Sequence, residues 1–222
     1  MNKTLQNDVR LDAVQTVLVI ALVAVLSVVL TSCAGSAKVP EDHFYRLPVI
    51  TLSANGDAPQ LSGRIEIEEP ETDGLYRERS IMYLDVNRPL EIKQYHYRHW
   101  MYRPGLLVQQ YLLEYFQKRY PDKPVIKYTA SGNADNIIGG RVVRFERVIG
   151  NSQTEILVEL KLHLKKNKNS LNSVKPEVLH EEIYSRKIIA KGNSFHTTAE
   201  VFGEALQQIF QQFSTDAVES LK

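Results

Sequence analysis

Six histidines and one cysteine are the residues of this 222-residue chain with the most evident chemical capacity. His96 and His99 stand three apart, with His43, His163, His180 and His196 scattered elsewhere. Two imidazoles at that separation share a metal on a helix, but Glu91 to Trp100 reads as a strand, where side chains three apart leave opposite faces. No metal site is expected from them. No Gly-x-Ser-x-Gly turn marks a nucleophilic serine, and Gly139-Gly140 lacks the further glycines, lysine and hydroxyl residue of a phosphate loop. The acidic pairs Glu68-Glu69 and Glu181-Glu182, like Asp85, fall in strands or turns where solvation accounts for them. No catalytic residue and no cofactor are expected. Cys33 remains, and as the single cysteine it has no disulfide partner within the chain.

The position of Cys33 gives it a different use. Residues 14–30, VQTVLVIALVAVLSVVL, carry no charge and follow a polar stretch holding Lys3 and Arg10, the arrangement of an export signal. At about 17 residues the run is at the lower limit for a membrane-spanning helix and slightly long for a signal core, so length leaves both open. Leu30-Thr31-Ser32-Cys33 resembles the lipobox of bacterial prolipoproteins. The resemblance implies cleavage before Cys33, a diacylglycerol on its thiol and an N-acyl lipid on the new terminus; the alternative is an uncleaved membrane helix. Ala34 and Gly35 follow where an Asp would signal retention at the inner membrane, so the outer membrane, facing the periplasm, is favoured over the inner one. Three parts follow: a signal peptide over residues 1–32, a lipidated tether over 33–42, and one domain over 43–222. The tether, about nine residues at no more than about 3.5 Å each, limits the domain to roughly 30 Å from its membrane.

Lys plus Arg number 27 against 26 Asp plus Glu, a net charge of +1, so no field for nucleic acid is present. Strands are expected near residues 43–50, 64–69, 81–86, 90–97, 125–128, 136–149, 154–165 and 178–190. In the last but one, Ile156, Val158, Leu160, Leu162 and Leu164 alternate with polar residues, the period of a half-buried strand. Asn87-Arg88-Pro89 reads as a hairpin turn. One helix is expected from Arg103-Pro104-Gly105 to Tyr120. A second follows a capping box of Thr197 and Glu200, with Phe202, Leu206, Ile209, Phe210 and Phe213 on its apolar face. The expected fold is α+β: a mixed, largely antiparallel sheet with two helices packed on one face.

Tyr95, Tyr97, Trp100 and Tyr102 form an aromatic block suited to a protein interface, with core packing as the competing use. Lys165, Lys166, Lys168 and Lys175 surround a loop that could meet anionic lipid, though such loops are more often merely soluble.

The ordered landmarks resemble the ABC-type transport auxiliary lipoproteins, the family of the paraquat-inducible C component. They are the lipobox at Cys33; His43-Phe44-Tyr45-Arg46-Leu47-Pro48 opening the mature domain; Arg79-Ser80-Ile81-Met82-Tyr83, Leu90-Glu91-Ile92 and Tyr95 to Trp100 ahead of the first helix; Val142 to Glu146; and the closing amphipathic helix. Leu75-Tyr76-Arg77-Glu78-Arg79 and Met101-Tyr102-Arg103-Pro104 depart from the family's usual pattern. The resemblance implies a non-enzymatic lipoprotein anchored in the membrane by its lipid. It would work with an ABC permease and ATPase and an MCE-domain protein that move phospholipid or other hydrophobic molecules across the envelope. A scaffold lipoprotein of envelope assembly is the alternative, and self-association is left open.

Overall fold

A computed structural model describes Leu18, Ile20, Ala21 and residues 39–52, 61–129, 134–167 and 176–221. Cys33, Lys168, Lys175 and nearly all of the apolar run lie outside them. The chain separates into two units, Met1–Pro40 and Glu41–Lys222. In the first, Leu18, Ile20 and Ala21 are helical. Among the described residues no helix is long and apolar enough to cross a membrane.

The second unit is α+β, as its alternating patterns predict. Its elements in chain order are β1 (His43–Tyr45), β2 (Ile65–Ile67), β3 (Glu71–Thr72), a 3₁₀ turn (Gly74–Arg77), β4 (Ser80–Asp85) and β5 (Arg88–Trp100). Helix α1 (Pro104–Arg119), β6 (Val125–Lys127), β7 (Asn136–Ile149), β8 (Thr154–Lys166), β9 (Glu177–Ala190) and α2 (Phe195–Glu219) complete it.

The sheet is organised around β7. Along one edge β7 pairs in turn with β2, β3 and β4, all parallel, and its other edge carries the antiparallel meander β8–β9. β6 adds outside β2, while β5 and then β1 add outside β4. The three antiparallel ladders are the longest, and the five parallel ones span two to four positions each. The sheet curls towards a half-barrel.

Alternation in β8 sets the core. Ile156, Val158, Leu160, Leu162 and Leu164 are all fully buried, and each such side chain contributes about 1.5–3 kcal/mol relative to exposure. Across them lies α2, whose Phe202, Ala205, Leu206, Ile209, Phe210 and Phe213 recur at helical spacing and are equally buried. Helix α1 starts with Pro104 at its first position, where the missing N–H costs no hydrogen bond, and ends with Lys118 and Arg119 near its negative pole. The buried Gln109 donates Nε2–H to the Ile67 carbonyl at 3.0 Å and ties α1 to β2. Gln207 of α2 donates to the Tyr111 hydroxyl at 3.0 Å and ties the helices together.

Several boundaries differ from the sequence expectation. The first strand stops at Tyr45, because Pro48 has no N–H to donate to a ladder. Arg88 and Pro89 belong to β5 rather than to the turn. The cap of α2 is Ser194, whose Oγ accepts the Thr197 N–H at 3.0 Å, so the helix begins one turn ahead of the predicted capping box.

Candidate interaction surface

The four aromatic residues singled out in the sequence do not form one surface. Trp100 is fully buried, edge-on to Phe202 at 5.0 Å and 5.5 Å from Phe145. Its role is to join β5 to α2 and β7, which corrects its assignment to an interface. Tyr95 is half-buried: its ring lies 4.4 Å from Tyr83 and edge-on to Phe195 at 4.8 Å. Only Tyr97 and Tyr102 are exposed. A bulge causes the split. Between the pairs Ser80↔His99 and Met82↔Gln94, two steps of β4 face five steps of β5, so the alternation that would place Tyr95 and Tyr97 on one face is broken.

Tyr95 helps to hold a buried cation. Arg147 is 3% exposed; its Nη1–H donates to the Tyr95 hydroxyl at 3.0 Å and its Nη2–H to the Asn193 carbonyl at 3.2 Å, while its Nε has no partner. The guanidinium lies 4.4 Å from the Phe195 ring centre and 5.4 Å from that of Tyr95. Aromatic faces thus replace the carboxylate usually found beside a buried arginine. Burial lowers the pKa of Arg147 and raises that of Tyr95. The group secures the N-terminus of α2 on the sheet.

One group of exposed apolar side chains lies around β1 and the turn into α1. The Met101 N–H donates to the Tyr45 carbonyl at 2.7 Å, which brings the chain after β1 beside the chain after β5. Between them and α1 runs a groove of about 490 Å³, lined among others by Arg46, Val49, Met101, Tyr102 and Leu107. The segment is fixed from behind. A Cβ on Gly203 of α2 would lie 2.4 Å from Pro48 Cγ, so only glycine lets Pro48 seat against the helix. Tyr45 packs inward on Phe195, whereas Phe44 points outward, 5.4 Å from the His99 ring and under the Arg79 guanidinium. Tyr111 on α1 completes the wall, and burial drives its hydroxyl above its ordinary pKa.

The histidines do not assemble as a pair. His99 sits 3.4 Å from Asp42 and 3.3 Å from the Ser80 hydroxyl, while His96 is exposed beside Tyr97. A different group, His180, Glu182 and Asp216, brings three donor atoms within 4.8 Å of one another between β9 and α2. These residue types suit a divalent ion. However, the Tyr184 hydroxyl donates to Asp216 at 3.1 Å and lies 2.7 Å from His180 Nε2, so the group already satisfies itself by a hydrogen-bond chain. Sequence spacing could not reveal it, since Asp216 joins from a helix formed after the strand. Lys165, at the end of β8 where the basic loop begins, is paired with Glu68 at 3.1 Å. The His163 hydrogen bond and Lys165 hold the Glu68 carboxyl below its ordinary pKa.

No family profile and no curated protein sequence matches the chain. Solved structures do. The Xanthomonas campestris protein XCC0632, a DUF330 protein, superposes with a TM-score of 0.65 at 17% identity over 80% of this chain and 96% of its own. An uncharacterized protein superposes with a TM-score of 0.56 at 9% identity, over 82% of this chain and 100% of its own. The fold is therefore shared with a DUF330 protein, and at these identities the likeness concerns the fold alone.

Proposed function

We propose that this chain is an accessory lipoprotein of an envelope transport system. Lipid on Cys33 holds it at the outer membrane, and the domain over residues 43–222 serves as a non-catalytic binding module for an MCE-domain protein and its ABC permease and ATPase. The observation that carries the reading is the placement of the only cysteine, at the end of an uncharged apolar run and ten positions ahead of β1. An acyl-bearing Cys33 needs no catalytic neighbour, and several acyl chains together give stable membrane attachment. The sequence landmarks shared with transport auxiliary lipoproteins supply the partner class. The exposed groove beside β1 supports a binding role, because it offers apolar area on rigid elements.

Purification of the protein from its own membranes tests both halves. Mass spectrometry of the N-terminal peptide is expected to find Cys33 as the first residue, carrying diacylglycerol and an N-acyl chain. An intact peptide spanning residues 1–33 with a free thiol would overturn the lipoprotein reading. Co-purification is expected to recover the MCE-domain protein or the permease. Recovery of neither, with acylation intact, would leave an envelope scaffold in place of a transport component.

A further inference from the structure

One group of exposed apolar residues lies at the end of the domain from which the tether leaves; others lie on the β4–β5 hairpin and on β9. Phe44 is 51% exposed, Val49 76%, Met101 42% and Tyr102 38%. All four belong to β1, the segment just after it, or the turn between β5 and α1 that hydrogen-bonds to it. Two cations lie among them. Arg79 covers the Phe44 ring at 5.4 Å and Arg46 lines the groove beside Val49 and Met101. Among the described residues neither arginine makes an ion pair. Of the acids nearby, Asp42 faces His99, Glu69 takes Arg103 and Glu114 takes Lys118, while Glu41 and Glu78 are exposed.

We propose that this end of the domain lies against the bilayer, Phe44, Val49, Met101 and Tyr102 entering the interfacial region while Arg46 and Arg79 meet the phosphates of anionic phospholipid. Single exposed hydrophobic residues are ordinary, but a group of them beside arginines that make no ion pair is the composition of a membrane-contacting surface. Aromatic rings settle at the headgroup level, and arginine can keep its charged head there while its stem lies along apolar neighbours. The tether selects the occupant. With lipid on Cys33 and only nine residues before His43, β1 cannot leave the membrane by more than roughly 30 Å. The patch is therefore held at high effective concentration against lipid, and a weak surface affinity becomes a fixed orientation. The hairpin β4–β5, with Leu90 fully exposed near its turn, would then project away from the bilayer.

This inference rests on Cys33 being the acylated residue, and its test separates the two. In acylated protein the Cys33 thiol is blocked, so a cysteine introduced by Met101→Cys or Leu90→Cys is the only free thiol and takes a fluorophore alone. Both positions are exposed, so neither change disturbs the core. Each labelled protein is reconstituted into vesicles of phosphatidylethanolamine and phosphatidylglycerol, with or without brominated acyl chains. The expected result is loss of most of the emission from position 101 in brominated vesicles and no loss at position 90. Equal quenching at both positions, or none at position 101, would overturn the orientation. Flotation with the vesicles and the mass of the Cys33 peptide report the anchor independently, so a protein that floats without quenching at 101 sinks this inference and leaves the lipoprotein reading standing.

Discussion

The meander β7–β8–β9 under α2 and the end built from β1, the β5–α1 turn and the groove were made by different physics. The first is long and antiparallel, and Ile156, Val158, Leu160, Leu162 and Leu164 of β8 are fully buried, although Val178, Ile183 and Ile189 of β9 stay exposed. The second is three residues of edge strand, a proline-limited segment and a turn, with large apolar groups left in the open. Stability is concentrated in the meander, and the free surface lies where burial is incomplete. Rigid scaffolds commonly carry their binding surfaces on such short connecting segments.

Substitutions should register this contrast, and the largest effect is expected where α2 packs on the sheet. Phe202→Ala removes a ring packed on Trp100 and Phe145 and should cost about 3–5 kcal/mol. Chemical denaturation would measure it, and a loss below about 1 kcal/mol would mean that the aromatic cluster is not the centre of the core. Gly203→Ala tests the seam between the regions. Its methyl group meets Pro48, so a loss of about 1–3 kcal/mol is expected, together with greater protease sensitivity near Pro48. Tyr184→Phe breaks the hydrogen-bond chain from His180 to Asp216 and should cost about 1 kcal/mol, read as a lower denaturation midpoint at unchanged slope.

Glu68 ties the chain after β2 to His163 and Lys165 on β8. Its folded pKa is depressed below the ordinary value of 4.5, so its ionised form contributes stability that is present above pH 4.5 and lost as the pH falls through the folded pKa. Glu68→Gln should therefore be less stable than the parent at neutral pH, with the gap closing below pH 4.5. A gap that persists unchanged at pH 3 would place the effect in packing rather than charge. The smallest expected effect is Met101→Ser, within about 0.5 kcal/mol of the parent, because its side chain is exposed at the groove. A large destabilisation there would erase the distinction between the two regions.

Legibility in the sequence followed the same division. Strand β7 was read to its exact ends, β8 and β9 to within one residue, and α1 almost as closely, because long alternating or helical periods leave one register that buries the apolar face. The two-residue β3 and the 3₁₀ turn went unread, since neither is long enough to show a period. The 3₁₀ turn nevertheless has a defined place: the Tyr76 hydroxyl donates to the fully buried Glu146 at 2.7 Å, and Arg144 supplies the countercharge. Composition cannot announce a pair separated by 70 residues.

Cys33 at the close of an apolar run, the single α+β domain after it and the amphipathic closing helix were determined by sequence alone, since each depends on residue types in local order. Which aromatics face water was decided only by tertiary structure. Tyr95, Trp100 and Tyr102 are chemically alike and adjacent, yet a bulge in β5 and the arrival of Phe195 and Phe202 on a distant helix send the first two inward and leave the third beside the groove. Burial is a property of what packs against a residue, and those neighbours come together only when the chain closes on itself.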